Sequence, residues 1–414
     1  MNIAFLFNKF VQNSVAMVVI LLLAGCGGGG GGAATGADAS LSNTVAVTVT
    51  GGLQNQSANL LVTAVTICVP GLSACKTVDN VQVDTGSTGL RLASSVLASL
   101  ELPRADGGAA MTTIFECAAF TSGYLWGGMA KADVKLGQEI ASNVSIQLIQ
   151  DSAGQAAPSG CQSLGPDLGV PGRLAVNGVL GVGSSPQDCG TYCTNVVANG
   201  RYFQCSKTSG CIATTVPLTS QAANPVASFA RNNNGLVIEL PGTPAGGARQ
   251  VIGQMVFGIN TQPNNTLAPD ATLIPLAKTG PHAGRFSASR NGIAYPDSII
   301  DSGASANFFH DPSLPICAGS AAMANLYCPG DGTSLAVQAR DIVLPGGAVV
   351  SISVANAAYL FAQPAAAFGN LAGPGAGTLS TSIHLGLPFF MGRRVFTGLD
   401  SSANPNGPFI AYKN

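Results

Sequence analysis

Charge is in short supply in this chain. Only 9% of its 414 residues are Asp, Glu, Lys or Arg, and they nearly cancel, leaving a formal net charge of −1. A surface so sparsely charged has no basic stripe for nucleic acid and no acidic excess for a basic partner. Histidine is scarcer still: His282, His310 and His384 are all the imidazoles available as bases or ligands. No His-Glu-x-x-His, Gly-x-Ser-x-Gly or Cys-x2-Cys spacing occurs. Zinc peptidase, serine hydrolase and zinc-ribbon chemistry therefore lack their residues, and no metal or cofactor is expected. The six glycines Gly27 to Gly32 have neither a Lys-Ser/Thr nor a strand before them, so they are no phosphate loop.

What the chain does have begins at its N-terminus. Lys9 precedes an apolar stretch from Val15 to Leu23, and Leu23-Ala24-Gly25-Cys26 follows. The stretch is short for a transmembrane helix, and the small residues before Cys26 suit a signal peptidase. Residues 1–26 resemble a bacterial lipoprotein signal peptide, with Cys26 becoming the lipidated N-terminus. Residues 27–43, rich in Gly, Ala, Thr, Asp and Ser, then form a flexible tether. With no aspartate after Cys26, the expected destination is the outer membrane, facing the periplasm or the cell surface.

The remaining body of about 370 residues exceeds one typical domain core and divides into two. Short runs rich in Val, Ile, Leu and Thr recur between Gly, Pro and Asn: Val45 to Val49, Leu60 to Cys68, Val134 to Leu136, Val144 to Ile149, Gly235 to Leu240, Val251 to Phe257 and Val349 to Val354. Helical stretches are few, the better ones being Ser94 to Leu100 and Pro364 to Leu371. The body is thus mostly β. A composition break between Leu218 and Gly235 places the boundary, giving lobes 44–228 and 229–414. The sequence leaves open whether that break is a free linker or a covered crossing.

Eleven cysteines become ten once Cys26 carries lipid, and an even number in an exported chain reads as disulfides. Cys68 with Cys75 and Cys317 with Cys328 are natural local pairs. Cys189, Cys193, Cys205 and Cys211 form a cluster that export favours as disulfides over zinc, and Cys117 with Cys161 completes the set by elimination.

Two settings repeat across the body: Val83-Asp84-Thr85-Gly86-Ser87-Thr88 and Ile300-Asp301-Ser302-Gly303-Ala304-Ser305. Each follows an apolar run and puts one aspartate at a strand end. Two such loops face to face bring two carboxylates together, and a pair sharing one proton can activate water against a peptide bond. One Asp-Ser/Thr-Gly alone is weak. Here each is followed in its own half by an apolar-Gly element, Gly178-Val179-Leu180-Gly181 and Ile383-His384-Leu385-Gly386.

At these residues the chain resembles the pepsin-like aspartic peptidases, and the resemblance runs through most of the body. It implies an all-β, bilobal acid-protease fold: two β lobes, an active-site cleft between them and few short helices. Asp84 and Asp301 match the family's catalytic aspartates. Thr85 and Ser302 match the hydroxyls that lock the two loops together, and Gly86 and Gly303 the glycines whose backbone approaches the carboxylates. Phe120 to Gly127, ending in Asp133 to Gly137, resembles the flap hairpin. Met255 to Asn260 resembles the strand opening the second lobe, and Leu385 to Phe390, Val395 to Asp400 and Phe409 to Tyr412 the closing strands.

Departures accompany the match. Phe120 stands where the family has the flap tyrosine, and Arg91 where it has that tyrosine's tryptophan partner; a ring-guanidinium contact worth about 1 kcal/mol is expected to substitute. Trp126, in the same hairpin, either covers the cleft or packs within the hairpin. Ser87 keeps the hydroxyl beside the first aspartate, whereas Ala304 loses it beside the second, which should raise the carboxyl pKa of Asp301. His384 reads as a buried, hydrogen-bonded core histidine rather than a base. The resemblance implies an aspartic endopeptidase acting on a polypeptide, with Asp84 as base and Asp301 as acid. The chain is expected to be a monomer that meets the membrane through Cys26 and no nucleic acid. The rival reading is an inactive pepsin-like binding or scaffold lipoprotein.

Overall fold

Alternating burial along the first strands shows how the sequence writes its sheets. In Thr44–Thr50 the valines at 47 and 49 are fully buried, and in Leu60–Cys68 so are Leu61, Val65 and Ile67. Successive side chains on a strand point to opposite faces, so one face of each run reaches the core. Each valine or leucine buried this way stabilises the fold by roughly 1.5–3 kcal/mol. A computed structural model describes residues 43–413 apart from 107–111, 151–154, 209, 281, 321–322, 376–381 and 405. The expected signal peptide, its Cys26 and nearly all of the expected tether lie outside the described residues.

The described chain is mostly β, arranged as two sheets with a few short helices and 3-10 turns. In the larger sheet Cys75–Asp84 pairs with Leu60–Cys68 on one side and, in parallel, with Gly178–Val182 on the other. The smaller sheet has Ile293–Ile300 beside Phe286–Arg290 and, again in parallel, His384–Leu385. Thr44–Thr50 lies antiparallel to Val251–Phe257, so the larger sheet runs continuously from the first half of the chain into the second. Gly235–Glu239, Arg394–Gly398, Phe409–Lys413 and Thr272–Pro275 extend it in that order. This is the two-lobed β architecture expected from the sequence. The break between Leu218 and Gly235 holds two 3-10 turns, Leu218–Ser220 and Pro225–Ser228, the second capped by the Asn224 side chain accepting from the Val226 N–H.

Thr113–Phe120 and Gly123–Leu136 form the hairpin, with Phe120 opposite Gly123 and an exposed Thr121-Ser122 tip. Gly123 sits at φ 146, and a Cβ there would run into the Pro166 carbonyl, so glycine fixes the tip. Five disulfides join Cys68–Cys75, Cys117–Cys161, Cys189–Cys193, Cys205–Cys211 and Cys317–Cys328. All ten body cysteines are thus paired, the central four as two local bridges.

One expected helix moves. Pro364 to Leu371 is irregular, and the helix is Ala357–Phe361 just before it. Asn356 starts that helix by accepting the Tyr359 N–H at 3.0 Å. Beyond it the backbone is claimed by other partners: Ala366 and Ala367 donate to the Ala248 carbonyl, and Asn59 holds both the N–H and the carbonyl of Phe368. Ser94 to Leu100 keeps only its first turn, Ser94–Leu97, as 3-10 helix.

Candidate active site

The two aspartates arrive by the same route. Asp84 ends a strand whose parallel neighbour is the apolar-Gly segment, in register Asp84 with Gly181, and the chain then returns as Thr88–Ala93 on that segment's other side. In the second half Ile300 is in parallel register with Leu385, the Asp301 N–H donates to the Leu385 carbonyl at 2.9 Å, and Asn307–Phe308 returns antiparallel to His384–Leu385. In each half the apolar-Gly strand passes between the strand entering the aspartate loop and the strand leaving it.

Reciprocal hydrogen bonds lock the loops. The Ser302 N–H donates to Thr85 Oγ1 at 2.9 Å, and the Thr85 N–H to Ser302 Oγ at 3.1 Å. Ser302 Oγ also donates to the Val83 carbonyl at 2.8 Å, and both side chains are buried. The glycines then face the opposite carboxyls: a Cβ on Gly86 would lie 2.5 Å from Asp301 Oδ2, and one on Gly303 2.5 Å from Asp84 Oδ1. Only glycine permits that approach, because a methyl group would displace the carboxyl it meets.

Donors are shared unequally between the pair. Asp84 accepts from the Gly86 N–H at 2.8 Å and from Ser87 Oγ at 2.6 Å. Asp301 accepts from the Gly303 N–H at 2.7 Å, and Ala304 offers no hydroxyl. The carboxyl of Asp301 is held well above the usual carboxylate range, first by loss of solvation, then by the Asp84 charge and a hydrogen bond to it. Burial and the shortage of donors both favour the protonated form at Asp301.

Two cavities continue the cleft from this point. One, of about 390 Å³, contains Asp84, Asp301, Ala304 and His384; the other, of about 300 Å³, opens beside Gly86 and Ser87; Phe120 lines both. His384 is therefore not the hydrogen-bonded core histidine expected: it is half-buried, lines the dyad cavity and its imidazole has no hydrogen bond to a described residue. Burial and then the Arg285 charge push its pKa down to about 4, so above that pH it is a neutral imidazole.

In the flap region the expected ring contact is present, with stronger partners beside it. Arg91 does lie 5.9 Å from the centre of the Phe120 ring. It is not an exposed ring partner, however: it is buried, bonded to Glu116 at 2.5 Å and 3.6 Å from Asp188, with its Nη1 donating to the carbonyls of Thr88 and Gly89. Burial opposes its charge, yet Glu116 and Asp188 hold Arg91 above the ordinary guanidinium range. Asp188 also accepts from the Tyr202 hydroxyl at 2.6 Å. Burial, then repulsion from Glu116, raises the carboxyl of Asp188 well above its ordinary value. Trp126 does not line either cavity; it packs on Phe115 and Phe203 and donates from Nε1 to the Gln155 carbonyl at 2.7 Å.

Sequence reasoning missed several contributors. Gln82 Nε2 donates to the Gly303 carbonyl at 3.1 Å, and Asn59 Nδ2 to the Ser305 carbonyl at 2.8 Å, each bracing the second loop from the first half. Gln82 was detectable, being the polar residue between two buried valines on the strand that ends in Asp84. Glu116, Asp188 and Tyr202 carry no local signal, since only the fold brings them to Arg91.

The family model described as protein of unknown function (DUF3443) matches residues 39–412. No curated protein matches the chain. Among solved structures, the crystal structure of aspartic proteinase from Irpex lacteus is similar at 15% identity and a TM-score of 0.49, over 90% of this chain and 96% of that one.

Proposed function

For this chain, which belongs to the DUF3443 family of proteins of unknown function, we propose the activity of an aspartic-type endopeptidase. The observation that carries the reading is the paired carboxyls of Asp84 and Asp301 at the floor of a cleft, each abutted by the other loop's glycine and held by reciprocal Thr85 and Ser302 bonds. Asp84, the better supplied with donors, is the ionised partner and takes a proton from a water molecule as that water attacks the scissile carbonyl. Asp301 gives its proton to the developing oxyanion. The tetrahedral species then collapses: one of its hydroxyls returns a proton to Asp301 as the C–N bond breaks, and the proton held by Asp84 passes to the departing nitrogen, which restores the starting pair. The pair titrates as a unit, so the active form is the singly protonated one.

The substrate is a polypeptide lying along the cleft beneath Phe120, and the working form is a monomer. The same reading includes a lipid on Cys26, which tethers the enzyme to the cell envelope, at the outer membrane. The test is cleavage of denatured protein between about pH 3 and 7, with and without a transition-state-mimicking inhibitor of aspartic peptidases. Asp84→Asn and Asp301→Asn should each lower the rate by a factor on the order of 10³ while the protein stays folded. A folded wild-type protein that cuts nothing at any of these pH values would refute the peptidase and leave the binding lipoprotein.

A further inference from the structure

The cavity beside Gly86 and Ser87 differs from the dyad floor in its charge. Its charged lining is Arg91, Asp188, Arg201 and Arg285. Arg91 is already committed to the buried carboxyls of Glu116 and Asp188. Two cations remain. Arg201 and Arg285 are each half-buried, and neither has an ion pair or side-chain hydrogen bond with a described residue.

These two arginines come from opposite halves of the chain and are mounted on fixed backbone. Arg201 precedes the strand Tyr202–Ser206; its carbonyl accepts the Cys117 N–H at 2.7 Å and its N–H donates to Asn199 Oδ1 at 2.9 Å. Arg285 precedes the strand Phe286–Arg290; its N–H donates to the His282 carbonyl and its carbonyl accepts the Ala277 N–H, both at 2.9 Å. The charge of Arg285 also reaches the dyad, where it opposes the rise of the Asp301 pKa. In a chain with 9% charged residues, two guanidiniums in one cavity of about 300 Å³, neither in an ion pair with a described residue, form a marked concentration of positive charge. A guanidinium fork matches a carboxylate with two parallel bonds, and partial exclusion of water strengthens the pair.

We propose that this cavity is a carboxylate subsite, which seats an Asp or Glu side chain or the C-terminal carboxylate of the polypeptide between Arg201 and Arg285. The inference rests on the peptidase reading, since it names where the substrate of that site carries its charge. Cleavage then falls at a fixed short distance from an acidic group.

The test uses one peptide sequence in which each position around the cut carries Glu or Gln in turn, together with a C-terminal acid and amide pair. At about pH 5.5, where a free Glu is ionised, one position should favour Glu over Gln by about tenfold in kcat/KM. A preference confined to the acid over the amide identifies the chain terminus instead as the ligand. Either ratio should fall toward one in the Arg201→Gln/Arg285→Gln protein; because it compares two peptides on one protein, a general loss of activity cancels. Cutting with no such ratio, or a ratio that survives the double substitution, overturns the subsite and leaves the peptidase standing. The same ratios are read as calorimetric affinities on the Asp84→Asn protein. A ratio in binding without any cleavage by wild type overturns the peptidase alone, and its absence from both measurements overturns the subsite.

Discussion

Replacing Ala304 by threonine returns to the second loop the hydroxyl that Ser87 supplies to the first. Ser87 Oγ stands 2.6 Å from Asp84 Oδ2, and Asp301 has no such donor, so the substitution copies an interaction the protein already makes. A hydrogen bond to a charged group is worth roughly 1.5–3 kcal/mol, and one pKa unit corresponds to about 1.4 kcal/mol. Asp301 is partly open to the cleft, which puts the effect at the low end, a fall of about one unit in its pKa. The reaction needs Asp301 protonated, so activity is lost as pH rises through its raised pKa, and Ala304→Thr should move that alkaline limb about one unit toward acid. Initial rates on one peptide across about pH 3 to 8 measure it, with Ala304→Val as the control for size. Stability supplies a second readout. A carboxyl whose folded pKa lies above its unfolded value binds more protons when folded, so stability falls as pH rises between the two values. Thermal melts should show that decline in the wild type and a smaller one in Ala304→Thr. An alkaline limb that stays in place, or moves toward base, refutes the argument that the missing hydroxyl raises Asp301.

Two further outcomes follow from contacts around the dyad. Gly86→Ala places a methyl 2.5–2.6 Å from both Asp301 carboxyl oxygens; cleavage should drop at least a hundredfold and chemical denaturation should register about 1–3 kcal/mol of lost stability. A protein as active as wild type would mean the loops are looser than the geometry implies. Arg91→Met leaves Glu116 buried without its partner, which should cost about 3–5 kcal/mol in urea unfolding. Adding Glu116→Gln should recover part of that loss, and a strictly additive double substitution would contradict the coupling.

The β class, most strand positions and the aspartate loops could be read from the sequence because each is a local pattern. Alternating valines in Leu60–Cys68, or an apolar run ending in Asp-Thr-Gly, announce themselves within ten residues. Local cysteine pairs were legible for the same reason, since short spacings such as Cys68 to Cys75 leave few alternatives. The errors lay where distant segments compete for the same groups. Pro364 to Leu371 has helical composition, but Ala248 and Asn59 take its backbone bonds. The Arg91 contact with the Phe120 ring was legible from the sequence, but its stronger partners, Glu116 and Asp188, lie 25 and 97 positions downstream and carry no motif. For Trp126 the sequence leaves both the cleft and the hairpin open, and the Phe115 and Phe203 rings decide for packing within the hairpin.

The pairing of Thr44–Thr50 with Val251–Phe257 has a consequence for how the protein is made. The opening strand lies between Leu60–Cys68 and a strand that emerges far later, and Asn43 reaches the Phe257 carbonyl at 2.8 Å across 214 residues. Until that partner arrives, the growing chain carries an unpaired row of amide and carbonyl groups along an apolar strand, an edge open to any other extended segment. Closing so long a loop also makes this a late and slow contact. The nascent first half is therefore a sticky intermediate by construction, and whatever accompanies the chain during synthesis has to shield that one edge for more than half of its length.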